Sequence, residues 1–254
     1  MTNKIAIVNQ KGGVGKSTTA INLGAALAQY DKNILIVDID PQGNATSGLG
    51  IEKAELQYSV YDLLLGNASF SEVLIPSGVA RLKIIPANID LAGAEIELVS
   101  EISREKKLSQ ALVAQQDNFD YILIDCPPSL GILTLNALCA AEEVLVPIQC
   151  EYYALEGLGQ LLDTIERVKD NVNPDLSLAG VLLTMYDGRT NLSEQVAEEV
   201  KKYFAQRIFK TIIPRNVRLS EAPSFGEPIT EYDPRSSGAK AYKNLAREVL
   251  KNEQ

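Results

Sequence analysis

Residues 5–30 of the chain are IAIVNQKGGVGKSTTAINLGAALAQY, a short apolar run, a glycine-rich turn and a helical run in direct succession. This order forms a phosphate cradle, because glycines let successive backbone N–H groups face one anion and the helix start adds its positive dipole end. Lys16 is expected to place its ammonium against the β- and γ-phosphates of a nucleotide, and Ser17 to bind Mg²⁺ through its hydroxyl. The stretch therefore predicts a P-loop fold around a nucleotide rather than a glycine-rich turn without one.

The glycine loop departs from the usual P-loop spacing, GxxxxGK[ST]. Gln10 stands where the first glycine is expected, six residues before Lys16, and a second lysine follows it as Lys11. A cation inserted opposite a transferring phosphoryl group would act as an arginine finger does. A solvated loop lysine is the alternative.

Beyond the loop, short β-branched runs alternate with helical patterns, and continuous apolar runs are typical of parallel strands buried on both faces. Repeated βα units predict an α/β fold, a doubly wound, mostly parallel sheet flanked by helices, with ligands beyond the carboxyl ends of the strands. Because no linker or repeat interrupts the pattern, residues 1–254 are expected to form a single P-loop domain. The segment 49–82 carries a weaker signal, and only a short helix near 60–65 is predicted in it. Strands are predicted at 5–8, 34–40, 82–87, 121–126, 144–148 and 178–184, and helices at 17–30, 130–141, 155–169, 192–204 and 236–250.

Acidic residues end two of these strands. Alternation along the second strand places Asp38 and Asp40 on one face, and Pro41 then ends the run. Asp125 ends the fourth strand, the Walker B pattern of a carboxylate that holds Mg²⁺ through water. Taken alone, one apolar run that ends in Asp is as compatible with a structural role as with a magnesium-binding one. Burying such a carboxylate is costly without a compensating partner, so a magnesium–nucleotide site explains the set.

Composition narrows the chemistry further. The 254 residues contain no histidine, which excludes Ser-His-Asp and Cys-His hydrolysis and a His-ligated zinc site. Cys126, Cys139 and Cys150 are widely spaced, which favours small buried side chains in a reducing, cytoplasmic compartment over a disulfide framework. We expect no signal peptide, and no apolar stretch approaches about 18 residues.

Charge is distributed unevenly along the chain. The net charge of −9 argues against a nucleic-acid partner when taken alone. Residues 184–254, however, hold 12 of the 24 Lys and Arg but only 10 of the 33 Asp and Glu. A local basic surface is therefore possible on an acidic chain.

Longer blocks of sequence carry a family resemblance. The loop from Lys11 to Thr18 resembles the deviant Walker A motif of the MinD/ParA superfamily, and the chain as a whole looks like the small ParA/Soj partitioning ATPases. This resemblance implies ATP-dependent homodimerisation, sequence-independent DNA binding, and ATP hydrolysis with Mg²⁺ that a ParB-type centromere-binding protein stimulates. It also implies association with the nucleoid, and no membrane partner. The blocks are DIDPQGNATSGLGIE (38–52), LAGAEIELV (91–99), IDCPPSLGILTLNAL (124–138), PIQCEYYALEGL (147–158) and IPRNVRLSEAPSFGEPI (213–229).

The resemblance also assigns roles to residues. Lys11 would reach the partner subunit's nucleotide, and Lys16 would act on the phosphates of its own. Asp40 would orient the attacking water. It would contact the groups that coordinate the ion and not the ion itself, and Asp38 would support the site. The ion would be held by Ser17 and, through water, by Asp125. Nucleotide contacts are expected from Lys11, Gly12, Gly13, Val14, Gly15, Lys16, Ser17 and Thr18, and on the adenine side from Met185, Pro214 and Asn216.

Two arginines match positions that bind DNA in the family, Arg189 and Arg218. Loop arginines are most often solvated or paired, so the residues alone leave that reading open. The adenine-side residues Pro214 and Asn216 have an equally plain alternative as a turn and its packing. Basic residues on helices usually form a solvated face, which makes Lys201, Lys202, Arg235, Lys240 and Lys243 weaker DNA candidates.

Three rival functions are compatible with parts of the sequence. A membrane-surface regulator of MinD type needs a detachable amphipathic C-terminal helix, but residues 241–250 contain one aromatic and lead into a polar end, so packing on the core explains them better. An electron-transfer ATPase like the nitrogenase iron protein needs paired cluster cysteines, and only Cys126 has a suitable context. Metabolic enzymes such as dethiobiotin synthetase relatives share the scaffold. No residue resembles a base for a substrate hydroxyl, which favours hydrolysis by water over the transfer of a phosphoryl group to a substrate, as in a kinase.

Overall fold

A computed structural model of the chain describes residues 2–113, 115, 118–152, 158–204 and 207–252. Within them lies a sheet with the strand order β3-β4-β2-β5-β1-β6-β7. Every neighbouring pair is parallel except β3 and β4, which confirms the α/β fold. The strands are β1 (Asn3–Ile7), β2 (Ile34–Asp38), β3 (Ile75–Pro76), β4 (Leu82–Ile85), β5 (Tyr121–Asp125), β6 (Glu143–Gln149) and β7 (Ser177–Thr184).

Helices cover both faces of the sheet. On one face Ala6 and Val8 join the core formed with α3 to α9, and on the other Ile5 and Ile7 join the core formed with α1, α2 and α10 to α12. In the described ranges, no helix is long and apolar enough to cross a bilayer. The helices are α1 (Lys16–Ala28), α2 (Asn44–Gly48), α3 (Val60–Leu65), α4 (Phe70–Val73), α5 (Leu91–Glu97), α6 (Lys107–Val113), α7 (Ile132–Ala140), α8 (Leu158–Asn171), α9 (Asn191–Phe204), α10 (Val217–Glu221), α11 (Ile229–Tyr232) and α12 (Ser237–Asn252).

Strand β1 lies at the point where the chain reverses its direction across the sheet. It pairs with β5 on one side and with β6 on the other. The register places Asp125 opposite Ile7 of β1 and opposite Asp38 of β2. The glycine loop and both carboxylates therefore meet at the carboxyl ends of adjacent strands, where open α/β sheets bind ligands.

The structure shortens the predicted second strand. It ends at Asp38, not at residue 40, because the Asp38 carboxylate accepts hydrogen bonds from the Asp40 N–H at 3.2 Å and the Thr46 N–H at 2.8 Å and turns the backbone out of the sheet. The prediction that strand alternation places Asp38 and Asp40 on one face is therefore wrong, because Asp40 lies beyond the end of the strand. The predicted helix 155–169 is observed from Leu158 to Asn171, and its first three predicted residues lie outside the described ones.

Candidate nucleotide and magnesium site

The glycine loop has the backbone of a phosphate cradle. Gly13 and Gly15 have φ angles of 74° and 92°, a left-handed region that side chains other than hydrogen rarely allow. Gly15 precedes α1, and this helix start has neither a side-chain cap nor an acidic residue in its first turn. Its free N–H groups and dipole are thus left for an anion.

Two side chains that the sequence analysis missed anchor this loop. Asn9 donates to the Pro147 carbonyl at 2.7 Å and accepts from the Lys11 N–H at 2.9 Å. From the other side, Thr184 at the end of β7 donates to the Val14 carbonyl at 2.8 Å. Neither residue belongs to a recognisable motif, and their roles depend on strands far apart in sequence.

Lys16 is a buried lysine at the start of α1. Its side chain is almost fully buried, and its ammonium donates to the Lys11 carbonyl at 3.2 Å. Burial lowers the pKa of Lys16, while the nearby Asp125 raises it. In the part of the chain that the structure describes, the Lys11 ammonium itself makes no hydrogen bond or ion pair.

Asp38 is a fully buried carboxylate whose oxygens are occupied. Besides the two backbone N–H groups, the Thr46 hydroxyl donates to it at 2.8 Å. Thr46 in turn accepts from the Ala87 N–H at 2.9 Å, which ties β2 to the segment after β4. Burial raises the pKa of Asp38 to about 6, although the bonds from Thr46 oppose the shift. Asp38 therefore supports the site rather than facing it.

Asp125 is also fully buried, but neither of its oxygens accepts a well-formed hydrogen bond from the described residues. Burial raises its pKa well above the ordinary value and Asp38 adds to this, whereas the nearby Ser17 hydroxyl and Lys16 lower it. An unsatisfied buried carboxylate beside a hydroxyl fits a divalent cation. Across the described residues, no cluster of three or more His, Cys, Asp or Glu could hold a metal ion, so phosphate oxygens and water would have to complete the magnesium sphere.

Asp40 lies in the turn that follows β2 and is 5% exposed. It accepts from the Gln42 N–H at 2.9 Å, and its own carbonyl accepts from the Gly43 N–H at 2.8 Å. A side chain at Gly43 would meet the Ala87 carbonyl at 2.7 Å, so this turn packs closely on the segment after β4. The turn holds Asp40 near Lys16, which feels its charge.

The predicted adenine-side residues share one cavity with the phosphate loop. The cavity measures about 420 Å³, and its walls include Gly15, Thr18, Met185 and Pro214. Asn216 also lines it, but its side chain accepts from the Arg218 N–H and donates to Ser237, so it caps α10 as well. Tyr242 of α12, which the sequence analysis treated only as packing, lines the same cavity and lies 3.3 Å from the Thr19 hydroxyl.

The candidate DNA residues are exposed but paired. The Arg189 guanidinium donates two hydrogen bonds to Asp187, at 2.8 and 2.6 Å, and its backbone N–H donates a third at 3.1 Å; these bonds lower the pKa of Asp187 to about 2. Arg218, which was expected in a loop, instead lies on α10, where it binds Glu221 at 2.9 Å and lies 3.7 Å from Asp233. The weaker candidates are also on the surface, with Lys201 and Lys202 on α9, Arg235 before α12, Lys240 exposed on α12 and Lys243 half-buried there.

The cysteines give no support to an iron–sulfur site. Cys126 and Cys150 are buried, Cys139 is half-buried, and all three are free. Burial raises the pKa of the Cys126 thiol well above its ordinary value, which disfavours the thiolate that a cluster needs.

The unsatisfied state of Asp125 leads to a stability prediction. Because the pKa of Asp125 is raised, the folded chain holds a proton that the unfolded chain releases above about pH 4, so this residue costs more stability as the pH rises. Asp125→Asn should raise the free energy of unfolding at pH 8 by about 1–3 kcal/mol. At pH 4 to 5 the gain should shrink. The measurement is thermal denaturation without nucleotide or magnesium, with the exposed Asp170→Asn as control; a lower midpoint at pH 8 would contradict the assignment.

Comparison with known proteins agrees with this geometry. The family model described as AAA domain matches residues 2–178. The sporulation initiation inhibitor protein Soj of Bacillus subtilis is 62% identical over 248 residues, which are 98% of this chain and 98% of that protein. The chromosome-partitioning ATPase Soj of Treponema pallidum is 55% identical over 250 residues, with the same coverage of both chains.

Among solved structures, cobyrinic acid a,c-diamide synthase from Mycobacterium smegmatis with bound ATP analogue and magnesium is 42% identical to this chain. The two superpose with a TM-score of 0.88 over 98% of this chain and 95% of the other. A chain of the same fold thus binds the two ligands for which the loop and Asp125 are suited.

Proposed function

The chain belongs to the Soj/ParA family of chromosome-partitioning ATPases, and on that premise we propose that it is an ATP-driven switch for DNA partitioning. Two ATP-loaded copies would close face to face over their nucleotides and bind DNA without sequence preference. A ParB-type partner would then stimulate hydrolysis and reopen the dimer. Its place would be the cytoplasm, on the nucleoid.

The meeting of the glycine loop, Asp40 and Asp125 at one sheet edge carries this proposal. The free N–H groups of α1 and the Lys16 ammonium would bind the phosphates, and the charge would offset the cost of burying Lys16. Asp40, held in its turn by Gln42 and Gly43, would orient a water for in-line attack on the γ-phosphoryl group. Hydrolysis would then depend on positioning and charge neutralisation.

Magnesium would be held by the Ser17 hydroxyl and, through water, by Asp125. Bound there, the ion supplies positive charge to the phosphate oxygens. Its charge would also satisfy the carboxylate of Asp125, which accepts no well-formed hydrogen bond from the residues that the structure describes.

Lys11 would complete the site of the second copy. Its backbone is fixed by Asn9, while its ammonium has no partner among the described residues. A lysine whose backbone is fixed and whose ammonium is unpaired can bind an external anion without breaking an existing contact. The partner's triphosphate is the anion that the family resemblance indicates.

DNA binding by Arg189 and Arg218 would require an exchange of partners. Both are exposed, and exposed ion pairs are worth about 0–1 kcal/mol, so phosphates can displace Asp187 and Glu221. The loop that carries Arg189 is joined to the segment that leads into α10, the helix of Arg218, since the Tyr186 N–H donates to the Ile213 carbonyl and the Tyr186 carbonyl accepts from the Arg215 N–H. Closure over ATP would double this surface and strengthen binding through two linked contacts.

ATP turnover tests the proposal. We expect slow hydrolysis by the chain alone and an increase of about tenfold or more when duplex DNA and a ParB-type protein from the same source are both present, because electrostatic groups aligned at the phosphates act at about this scale or above. DNA alone and partner alone are the controls. A rate that neither addition changes would contradict the switch.

Two alternatives would give different results in related assays. A MinD-type membrane switch would bind anionic vesicles with ATP, but the apolar face of α12, which includes Tyr242, Leu245 and Val249, is buried in the core. The name of the M. smegmatis structure suggests an ATP-dependent synthase instead. Such an enzyme would need an acceptor for turnover, whereas the switch releases phosphate without one.

A further inference from the structure

A basic groove runs along the outer face of α12. Two adjoining cavities of about 600 and 420 Å³ share Lys210 and Asn244 in their walls. We call it the α12 groove and define it by its charged and amide walls, Lys210, Lys240, Asn244, Arg247, Glu248 and Lys251.

One helix face supplies most of this groove. Lys240, Asn244, Arg247 and Lys251 follow one another at intervals of four, three and four residues, which places them on one side of the helix. The row extends about 16 Å at 1.5 Å per residue. The opposite side of α12 is packed in the core, so this row faces outward.

The positive charge of the groove is largely uncompensated. Within the described ranges, the ammonium groups of Lys210, Lys240 and Lys251 form no hydrogen bond or ion pair. Arg247 bonds only neutral groups of the described residues, the Tyr30 hydroxyl at 2.7 Å and Asn244 at 3.0 Å. Glu248, the one acid in the walls, accepts the backbone N–H groups of residues 210 and 211. Four cations thus face one carboxylate that is already engaged.

Three arginines elsewhere on the surface differ in this respect. Arg189, Arg215 and Arg218 are each held by a carboxylate, from Asp187, Glu151 and Glu221 respectively. A phosphate that reaches them must displace an acid, whereas a phosphate that enters the α12 groove displaces only water and counterions.

The nucleotide cavity and the α12 groove share a wall. Pro214 lines both, and Ser237, which lines the groove, accepts a hydrogen bond at 2.7 Å from Asn216, which lines the nucleotide cavity. A ligand that moves this wall therefore changes the shape of the groove.

We propose that the α12 groove is a second DNA-contact surface, in which Lys210, Lys240, Arg247 and Lys251 bind backbone phosphates alongside Arg189 and Arg218. The inference rests on the proposed function, since it takes nonspecific DNA as the ligand. A straight row of point charges matches the regularly spaced charges of a nucleic-acid backbone. A membrane surface would require bulky apolar anchors, and the apolar side chains of α12 are buried.

Salt-dependent DNA binding tests this proposal in three matched pairs. The groove pair is K240A/K251A, the arginine pair is R189A/R218A, and K106A/K169A removes the same charge from exposed positions outside the groove. Each is made in the D40A background, loaded with ATP and Mg²⁺, and titrated with a random-sequence duplex at several salt concentrations. Thermal midpoints check that each variant folds.

We expect the groove pair to weaken DNA binding about tenfold and to reduce the salt slope of log K by about 2 per protomer, because each lost phosphate contact removes about 0.9. The charge-matched pair should change neither value. A merely structural role of the lysines would leave the salt slope unchanged.

The other outcomes distinguish failure of the α12 groove from failure of the proposed function. If the unchanged chain binds DNA and the groove pair keeps its affinity and slope, the α12 groove is refuted while DNA binding stands. If the unchanged chain does not bind DNA at all, the proposed function fails and the groove proposal with it. Loss of binding to phosphatidylglycerol vesicles, with DNA binding intact, would overturn the choice of ligand.

Discussion

Lys16→Ala should lower the affinity for ATP about 100-fold or more. The ammonium is buried at the start of α1, and truncating one partner of a buried, hydrogen-bonded charge pair costs about 2–5 kcal/mol. The fold should survive, because the only hydrogen bond that the structure records for this ammonium is to the Lys11 carbonyl. Burial already lowers the pKa of this ammonium group, so its removal should cost little folding stability.

Equilibrium binding of a fluorescent ATP analogue by the variant and by the unchanged chain would measure this effect. Lys169→Ala removes an exposed lysine and serves as the control. Micromolar ATP affinity in the Lys16 variant would mean that the glycine loop is not the phosphate cradle.

Asp40→Ala should separate binding from chemistry. The carboxylate lies in the turn after β2, and among the described residues it accepts a hydrogen bond only from the Gln42 N–H, so in the proposed mechanism it would act on water rather than on the nucleotide. Loss of a positioned carboxylate of this kind slows a reaction by about 10²–10⁴. The affinity for ATP should stay within a few fold, because Lys16 and the free N–H groups of α1 remain.

Single-turnover hydrolysis and ATP binding, measured on the same preparation, would show this separation. Asp170→Ala, an exposed change on α8, is the matched control. Unchanged turnover in the Asp40 variant would remove this residue from the reaction. A parallel loss of ATP affinity would place it at the nucleotide instead.

The central strands and the glycine loop were predictable because their signals are local. The run before Gly12, the run that ends in Asp125 and the helix that begins at Lys16 each contain the residues that determine them. The short helix at 60–65 was also predictable, since Ser59 and Asp62 form a capping box at its start. In such segments, pattern and structure depend on the same few neighbours.

The remaining features depend on distant partners. The edge strand β3 has two residues and exists only through its pairing with β4, and the helices between residues 89 and 113 were not predicted. Asn9 and Thr184 hold the loop through bonds to other elements, and no local pattern marks them.

Charge pairing was equally hidden from the sequence. Arg189 stood out as a DNA candidate, but its two bonds to Asp187 depend on a turn that the sequence indicated only as a loop. Lys240 was one of the weaker DNA candidates, because basic residues on helices usually form a solvated face. Its significance comes from the position of Lys210 across the groove.

Closure of two copies over ATP is the central step of the proposed switch, and the mass of the Asp40→Ala protein in solution tests it directly. With ATP and Mg²⁺, light scattering after size exclusion should give twice the monomer mass, and with ADP the monomer mass. Adding Lys11→Ala should return the ATP-loaded protein to the monomer, because it removes the lysine that we propose reaches the partner's nucleotide. A chain that stays monomeric with ATP bound, or that dimerises equally well without Lys11, would contradict the account.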